Sequence, residues 1–103
     1  MSSRLKALLE LHEKDPSDSF VTYGIALEYI SQKNYTEAEV YLKSLLKGNP
    51  DYLPAYMQLA QLYEKTDNID AAKNIYKTGI EIARKQNETR TEKEMEDFLS
   101  ELE

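Results

Sequence analysis

The chain has 103 residues, 41% of them hydrophobic and 31% charged, with a mean hydropathy of -0.67. That is too much apolar material for a disordered chain and enough for one modest core, while no uninterrupted apolar run nears the roughly 20 residues of a membrane span. A net charge of -6 argues against non-specific nucleic-acid binding, and the absence of cysteine removes disulfides, thiolate nucleophiles and Cys-ligated zinc.

Charges scattered around Leu5, with no small-residue cleavage site, give no expectation of a secretory leader, and a reducing, cytoplasmic setting is expected instead. Residues 3–14 are predicted as a first helix, with Leu5, Leu8, Leu9 and His12 at i, i+3, i+4, i+7 and Ser2 or Ser3 as cap. Asp15-Pro16 ends it, because proline disfavours helical geometry in the residue before it. A second helix is predicted from Asp18 to Ser31, capped by Ser17 or Asp18. It carries Val21, Ile25, Ala26 and Tyr29 on one stripe and Phe20, Tyr23, Leu27 and Ile30 on the next. The turn Gln32–Tyr35 contains Asn34, a residue that tolerates positive φ.

Thr36 and Glu39 read as a capping box opening a third helix to Lys47, with Gly48 suited to a left-handed position after it and Pro50 closing the segment. Pro54 fits the first turn of a fourth helix to about Lys65. Asp67-Asn68 makes the next turn, Asp70 caps, and a fifth helix runs from Ala71. No proline stands at 84, so Ala83–Gln86 can extend this helix until Asn87 ends it. A last helix, Thr91 to Leu102, places Met95, Phe98, Leu99 and Leu102 at helical spacing. Its segment, 91–103, holds six acids against the single base Lys93, leaving a balance of only -1 on the other ninety residues.

Displaced by 34 residues, the chain repeats itself. Ile25-Ala26-Leu27-Glu28-Tyr29 falls on Leu59-Ala60-Gln61-Leu62-Tyr63, Ala38 on Ala72, Leu42 on Tyr76 and Leu46 on Ile80. A fixed period of this size marks stacked repeats. Pro16 stands 34 residues before Pro50, so the first helix is in phase with the second half of a repeat. Leu8, Leu42 and Tyr76 then share one position, and Leu11, Leu45 and Gly79 another. The apolar spacing of the last helix matches that of Tyr56, Leu59, Ala60 and Tyr63, as in the first half of a third copy.

This pattern resembles the tetratricopeptide repeat family. The family's diagnostic positions are filled by Thr22, Ile25, Ala26, Tyr29, Ala38, Leu42, Leu45 and Pro50 in the first copy. In the second they are Tyr56, Leu59, Ala60, Tyr63, Ala72, Tyr76, Gly79 and Arg84. The resemblance implies an all-α fold of about six helices, with antiparallel helix-turn-helix repeats stacked as a short right-handed superhelix. One domain would comprise a flanking helix at 3–14, repeats at 17–50 and 51–86, and a capping helix at 90–102. Small residues at 26, 38, 60 and 72 would let paired helices approach closely. Thr22 stands where an aromatic is expected and Leu45 where alanine is usual, which suggests a shifted packing angle in the first copy. Gly79 costs about 1 kcal/mol relative to alanine in mid-helix, and close contact with the terminal helix would explain it.

Little in the inventory suggests catalysis. His12 is the single histidine and has no partner for a zinc site or a general base. The three glycines are isolated, so no phosphate-cradling loop exists. Pairs such as Asp67/Asp70 and Glu37/Glu39 belong to turns and caps. No catalytic residue, metal or cofactor is expected. Tyr29, Tyr35, Tyr63 and Tyr76 fall on repeat core positions without a basic groove, against nucleic-acid stacking.

In the family, the inner face of each repeat's first helix lines a concave groove that holds peptides. Phe20, Tyr23, Leu27 and Ile30 match those positions in the first copy, and Pro54, Met57, Gln61 and Glu64 in the second. The resemblance therefore implies an adaptor or scaffold binding an apolar or amphipathic segment of another protein, with neither nucleic acid nor membrane as partner. Tyr23 and Leu27 stand where the carboxylate-clamp variant needs lysine and asparagine, which disfavours capture of a terminal carboxylate. The competing expectations are that the first or last helix covers the apolar stripe, or that the chain self-associates. A homodimer would use the stripe or an open face of the first helix (Leu5, Leu9, His12).

Overall fold

The computed structural model describes residues 2 to 103. Among them run six α-helices and no strand: α1 (Ser3–Lys14), α2 (Ser19–Ser31), α3 (Tyr35–Gly48), α4 (Leu53–Lys65), α5 (Ile69–Lys85) and α6 (Thr89–Leu102). They form two compact units of three helices each, divided between Tyr52 and Leu53.

Two kinds of helix end occur along the chain. α2, α4 and α5 each finish with one residue in the left-handed region, Lys33, Asp67 and Asn87, with φ near 60° (61°, 60° and 59°). In each case the next amide reaches back five residues: Asn34 N–H to Tyr29 O, Asn68 N–H to Tyr63 O, Glu88 N–H to Ala83 O. This is the Schellman arrangement, which satisfies the orphan carbonyls of the last turn. The left-handed residue after α2 is thus Lys33, one position before the expected Asn34. α1 and α3 end differently, on Asp15 and Asn49 with φ of -146° and -142°. Each precedes a proline, and no glycine has positive φ. Gly48 is accordingly the last residue of α3 rather than a left-handed cap. Proline-free at 84, α5 continues to Lys85 and ends at Asn87, as its sequence predicts.

The starts of α3 and α5 correct the expected caps. α3 begins at Tyr35, so Thr36 lies inside the first turn, and the Asn34 side chain accepts the Glu37 N–H instead. α5 begins at Ile69 with Asn68 at its N-cap position, and Asp70 sits in the first turn, where its charge suits the dipole. Ser2 and Asp18 cap α1 and α2 through Leu5 N–H and Val21 N–H. Asn34→Ala should therefore cost about 1 kcal/mol in urea unfolding while Thr36→Ala stays within about 0.5 kcal/mol. Equal losses would restore Thr36 as the cap.

In the first unit, the turn of Gln32 to Asn34 reverses the chain between α2 and α3. Ala26 and Ala38 are both fully buried, as the close-approach argument requires. α1 lies on α2 so closely that a Cβ on Gly24 would stand 3.3 Å from Leu8 Cδ1. Leu5, Val21 and Ile25 form the buried cluster there, with Leu8, Leu9, Tyr29 and Tyr41 packed around it. Leu5 is only 1% exposed. The face Leu5–Leu9–His12 is thus turned into the core, because α2 packs along it, and it is not an open dimerisation face.

His12 meets Tyr41 edge-on at 5.6 Å, and Tyr41 stacks on Tyr29 at 5.8 Å. Buried Thr22, standing where an aromatic was expected, is satisfied within its own turn. Its hydroxyl donates to Asp18 O at 3.1 Å, and its oxygen lies 3.4 Å from His12 Nδ1.

In the second unit α4 packs on α5, and Leu59, Ala60, Leu62 and Tyr63 of the one and Ala72, Tyr76, Ile80 and Ala83 of the other are buried. α6 packs on α5 through fully buried Met95, which occupies the space above Gly79. Phe98 stacks on Tyr76 at 5.8 Å. Arg84, on the extra turn of α5, reaches Glu92 at 3.0 Å and joins that turn to α6.

Candidate protein-interaction surface

α2 is apolar around most of its circumference, with Glu28 its single charged residue. Val21 and Ile25 turn to α1, and Glu28 follows them, with its carboxylate 3.8 Å from Arg4 and accepting from the Ser2 hydroxyl at 3.2 Å. Phe20, Tyr23, Leu27 and Ile30, spaced i, i+3, i+7, i+10, share another face. Phe20 is 75% exposed, the most exposed of the large apolar side chains described; Tyr23, Leu27 and Ile30 are half-buried. Within its own unit, Phe20 is left uncovered by α1.

The aromatic end of this stripe includes a residue the sequence reading passed over. Tyr52, in the connection after α3, pairs with Tyr23 at 5.4 Å between ring centroids, tilted by 39°. Its hydroxyl pKa is raised, first by burial and then by the negative charge of Asp18, the residue that caps α2. The available signal was a large aromatic in a connecting segment, where polar residues are the norm.

On α4 the corresponding stripe is more polar. Pro54 is exposed, and Met57, Gln61 and Glu64 are half-buried. Glu64 is held inside its own unit, accepting a hydrogen bond from the Tyr76 hydroxyl. Burial, that bond and the charges of Glu64 and Glu101 together hold the Tyr76 hydroxyl well above the usual tyrosine range. Tyr63 and Tyr76 are buried and Tyr29 and Tyr35 half-buried, so the tyrosines named as core divide evenly. Among the described residues no group of three or more His, Cys, Asp or Glu could hold a metal ion. No described helix is long and apolar enough to cross a membrane.

Helical hairpins with buried alanines on both helices, ended by Schellman turns or before prolines, define a helix-turn-helix repeat protein. The tetratricopeptide repeat model matches residues 29–90, more than half of the sequence, and the chain belongs to that family. A tetratricopeptide repeat domain protein from Salinibacter ruber, solved in solution, is 34% identical with a TM-score of 0.81. The match covers 86% of this chain and 90% of that one. The TPR2B domain of yeast Sti1, in complex with pHsp70, has a TM-score of 0.88 at 15% identity, covering 95% of this chain and 78% of its own. The first TPR of Spaghetti (RPAP3), bound to the HSP90 peptide SRMEEVD, has a TM-score of 0.72 at 18% identity, covering 93% and 79%. No curated protein matches this chain.

Proposed function

We propose that the protein is an interaction module that holds an apolar or amphipathic segment of another protein against the α2 stripe, acting by rigid display without chemistry. The observation that carries this is Phe20, a phenylalanine 75% exposed at the head of a helix face whose other members are Tyr23, Leu27 and Ile30. Exposed apolar side chains aligned on one face mark a docking surface more often than a solvated one. Membership of the family supports the reading, as do neighbours of the same fold that carry Hsp70- and HSP90-derived partners. Tyr23 and Leu27, in place of a clamp lysine and asparagine, favour an apolar contact over a terminal carboxylate. We place its action in the cytoplasm, consistent with a chain that contains no cysteine.

The test is Phe20→Asp. Because Phe20 contributes little to the core, the melting temperature should stay within a few degrees of the parent, about what a surface change of 0.5 kcal/mol produces. Capture of the native partner, identified by mass spectrometry and then rebuilt from purified components, should be lost. Undiminished binding by the Asp variant would remove α2 as the docking face.

A further inference from the structure

We propose that the aromatic end of the α2 stripe takes a basic amphipathic segment of a partner protein, with an arginine or lysine side chain seated against Phe20, Tyr23 and Tyr52 beside the Asp18 carboxylate. The proposal rests on the reading of α2 as a docking face and adds to it the sign of the charge.

Charge is unevenly placed in the first unit. From Asp15 to Gln32 the chain carries Asp15, Asp18 and Glu28 and no lysine or arginine. The bases of this unit lie elsewhere: Arg4, Lys6 and Lys14 on α1, Lys33 in the turn, and Lys43 and Lys47 on α3. Glu28 is drawn to the α1 side by Arg4 and Ser2. Asp15 accepts from the Ser17 amide and hydroxyl ahead of α2, whereas the Asp18 carboxylate caps Val21 N–H at 3.2 Å at the start of the helix, two residues before Phe20.

A ring face attracts a cation through its quadrupole, and a neighbouring carboxylate strengthens that attraction. An exposed phenylalanine, a tyrosine pair and an aspartate on one surface thus suit a guanidinium or ammonium flanked by apolar side chains. The same surface repels an acidic tail, and a wholly apolar segment would leave the carboxylate unanswered.

The test uses the full chain and two short labelled peptides that share leucines at i, i+3, i+4 and i+7. One carries arginines at the intervening positions and the other glutamates, and anisotropy reads their affinity. The arginine peptide should bind about tenfold tighter at low ionic strength, with the gap narrowing above about 0.15 M salt. Asp18→Asn keeps the cap, since asparagine caps as well as aspartate, and should weaken the arginine peptide about two- to fivefold without weakening the glutamate one. Asp97→Asn on α6 removes the same charge from the other unit and should change neither.

Equal binding of the two peptides with Asp18→Asn silent would overturn the charge inference and leave the docking face standing. Binding of neither peptide would overturn both. Sedimentation showing a dimer that Phe20→Ala returns to monomer would make the occupant a second copy of this chain and overturn the proposal in favour of self-association.

Discussion

Met95→Ala should lower stability by about 2 to 5 kcal/mol in urea unfolding, the range for emptying a fully buried large side chain. Met95 has no exposed surface, and it is the one residue of α6 that the fold buries completely. Its partner position makes the case more specific. A Cβ on Gly79 would lie 2.7 Å from Met95 Sδ, 3.0 Å from its Cε and 3.0 Å from Tyr56 Cβ. Alanine in place of glycine gains about 1 kcal/mol of helix propensity, and overpacking costs about 1 to 3 kcal/mol.

The thioether can swing aside, but Tyr56 Cβ is fixed to the backbone of α4, so the net effect of Gly79→Ala should be a loss. In Gly79→Ala/Met95→Ala the new methyl group occupies part of the emptied volume and no longer meets sulfur. The double variant should therefore be more stable than the sum of the singles by more than about 0.5 kcal/mol. Strict additivity would show that the cost of a side chain at Gly79 comes from Tyr56 and not from Met95.

Gly79 and Met95 also illustrate what the residues alone could convey. A glycine in mid-helix opposite an apolar helix of matching period has few explanations, and the expected close approach of the terminal helix is what the distances describe. Ala26, Ala38, Ala60 and Ala72 were legible for the same reason: smallness repeated at 34-residue spacing implies a crossing. The caps were less legible because the sequence offers several competent side chains within two or three residues of each start. Thr36 with Glu39 matches a capping box, yet Asn34 stands where the chain actually leaves the turn.

The first helix poses a different difficulty. Periodicity identifies Leu5, Leu9 and His12 as one face but does not state whether another helix packs on it, and α2 does so through Leu5, Val21 and Ile25. Tyr52 escaped notice because it lies outside any periodic segment. Its contact with Tyr23 is made across 29 residues of chain, counting from 23 to 52.

Tyr76 is where core and charge meet, and its replacements should separate the two. Tyr76→Ala removes a fully buried ring stacked on Phe98 and should cost about 3 to 5 kcal/mol. Tyr76→Phe keeps the ring and loses only the hydroxyl that donates to Glu64, for about 1 kcal/mol at neutral pH.

The phenylalanine variant should also change the alkaline limb of the stability profile. Burial comes first, followed by the Glu64 hydrogen bond and the Glu64 and Glu101 charges, in raising the folded-state pKa of Tyr76 above the unfolded value. The folded chain consequently binds this proton more tightly than the unfolded one. Stability from the group is fully present below pH about 10 and is lost as pH climbs through the folded value. Phenylalanine has no proton to lose, so its urea midpoint should fall less between about pH 9 and 11 than that of the parent. Part of the decline should survive, because burial also raises Tyr41 and Tyr52, aided by Tyr29 and Glu37 in one case and Asp18 in the other. If Tyr76→Phe loses stability as steeply as the parent over that interval, the phenol does not titrate against Glu64 and Glu101, and the second unit owes its alkaline sensitivity to another group.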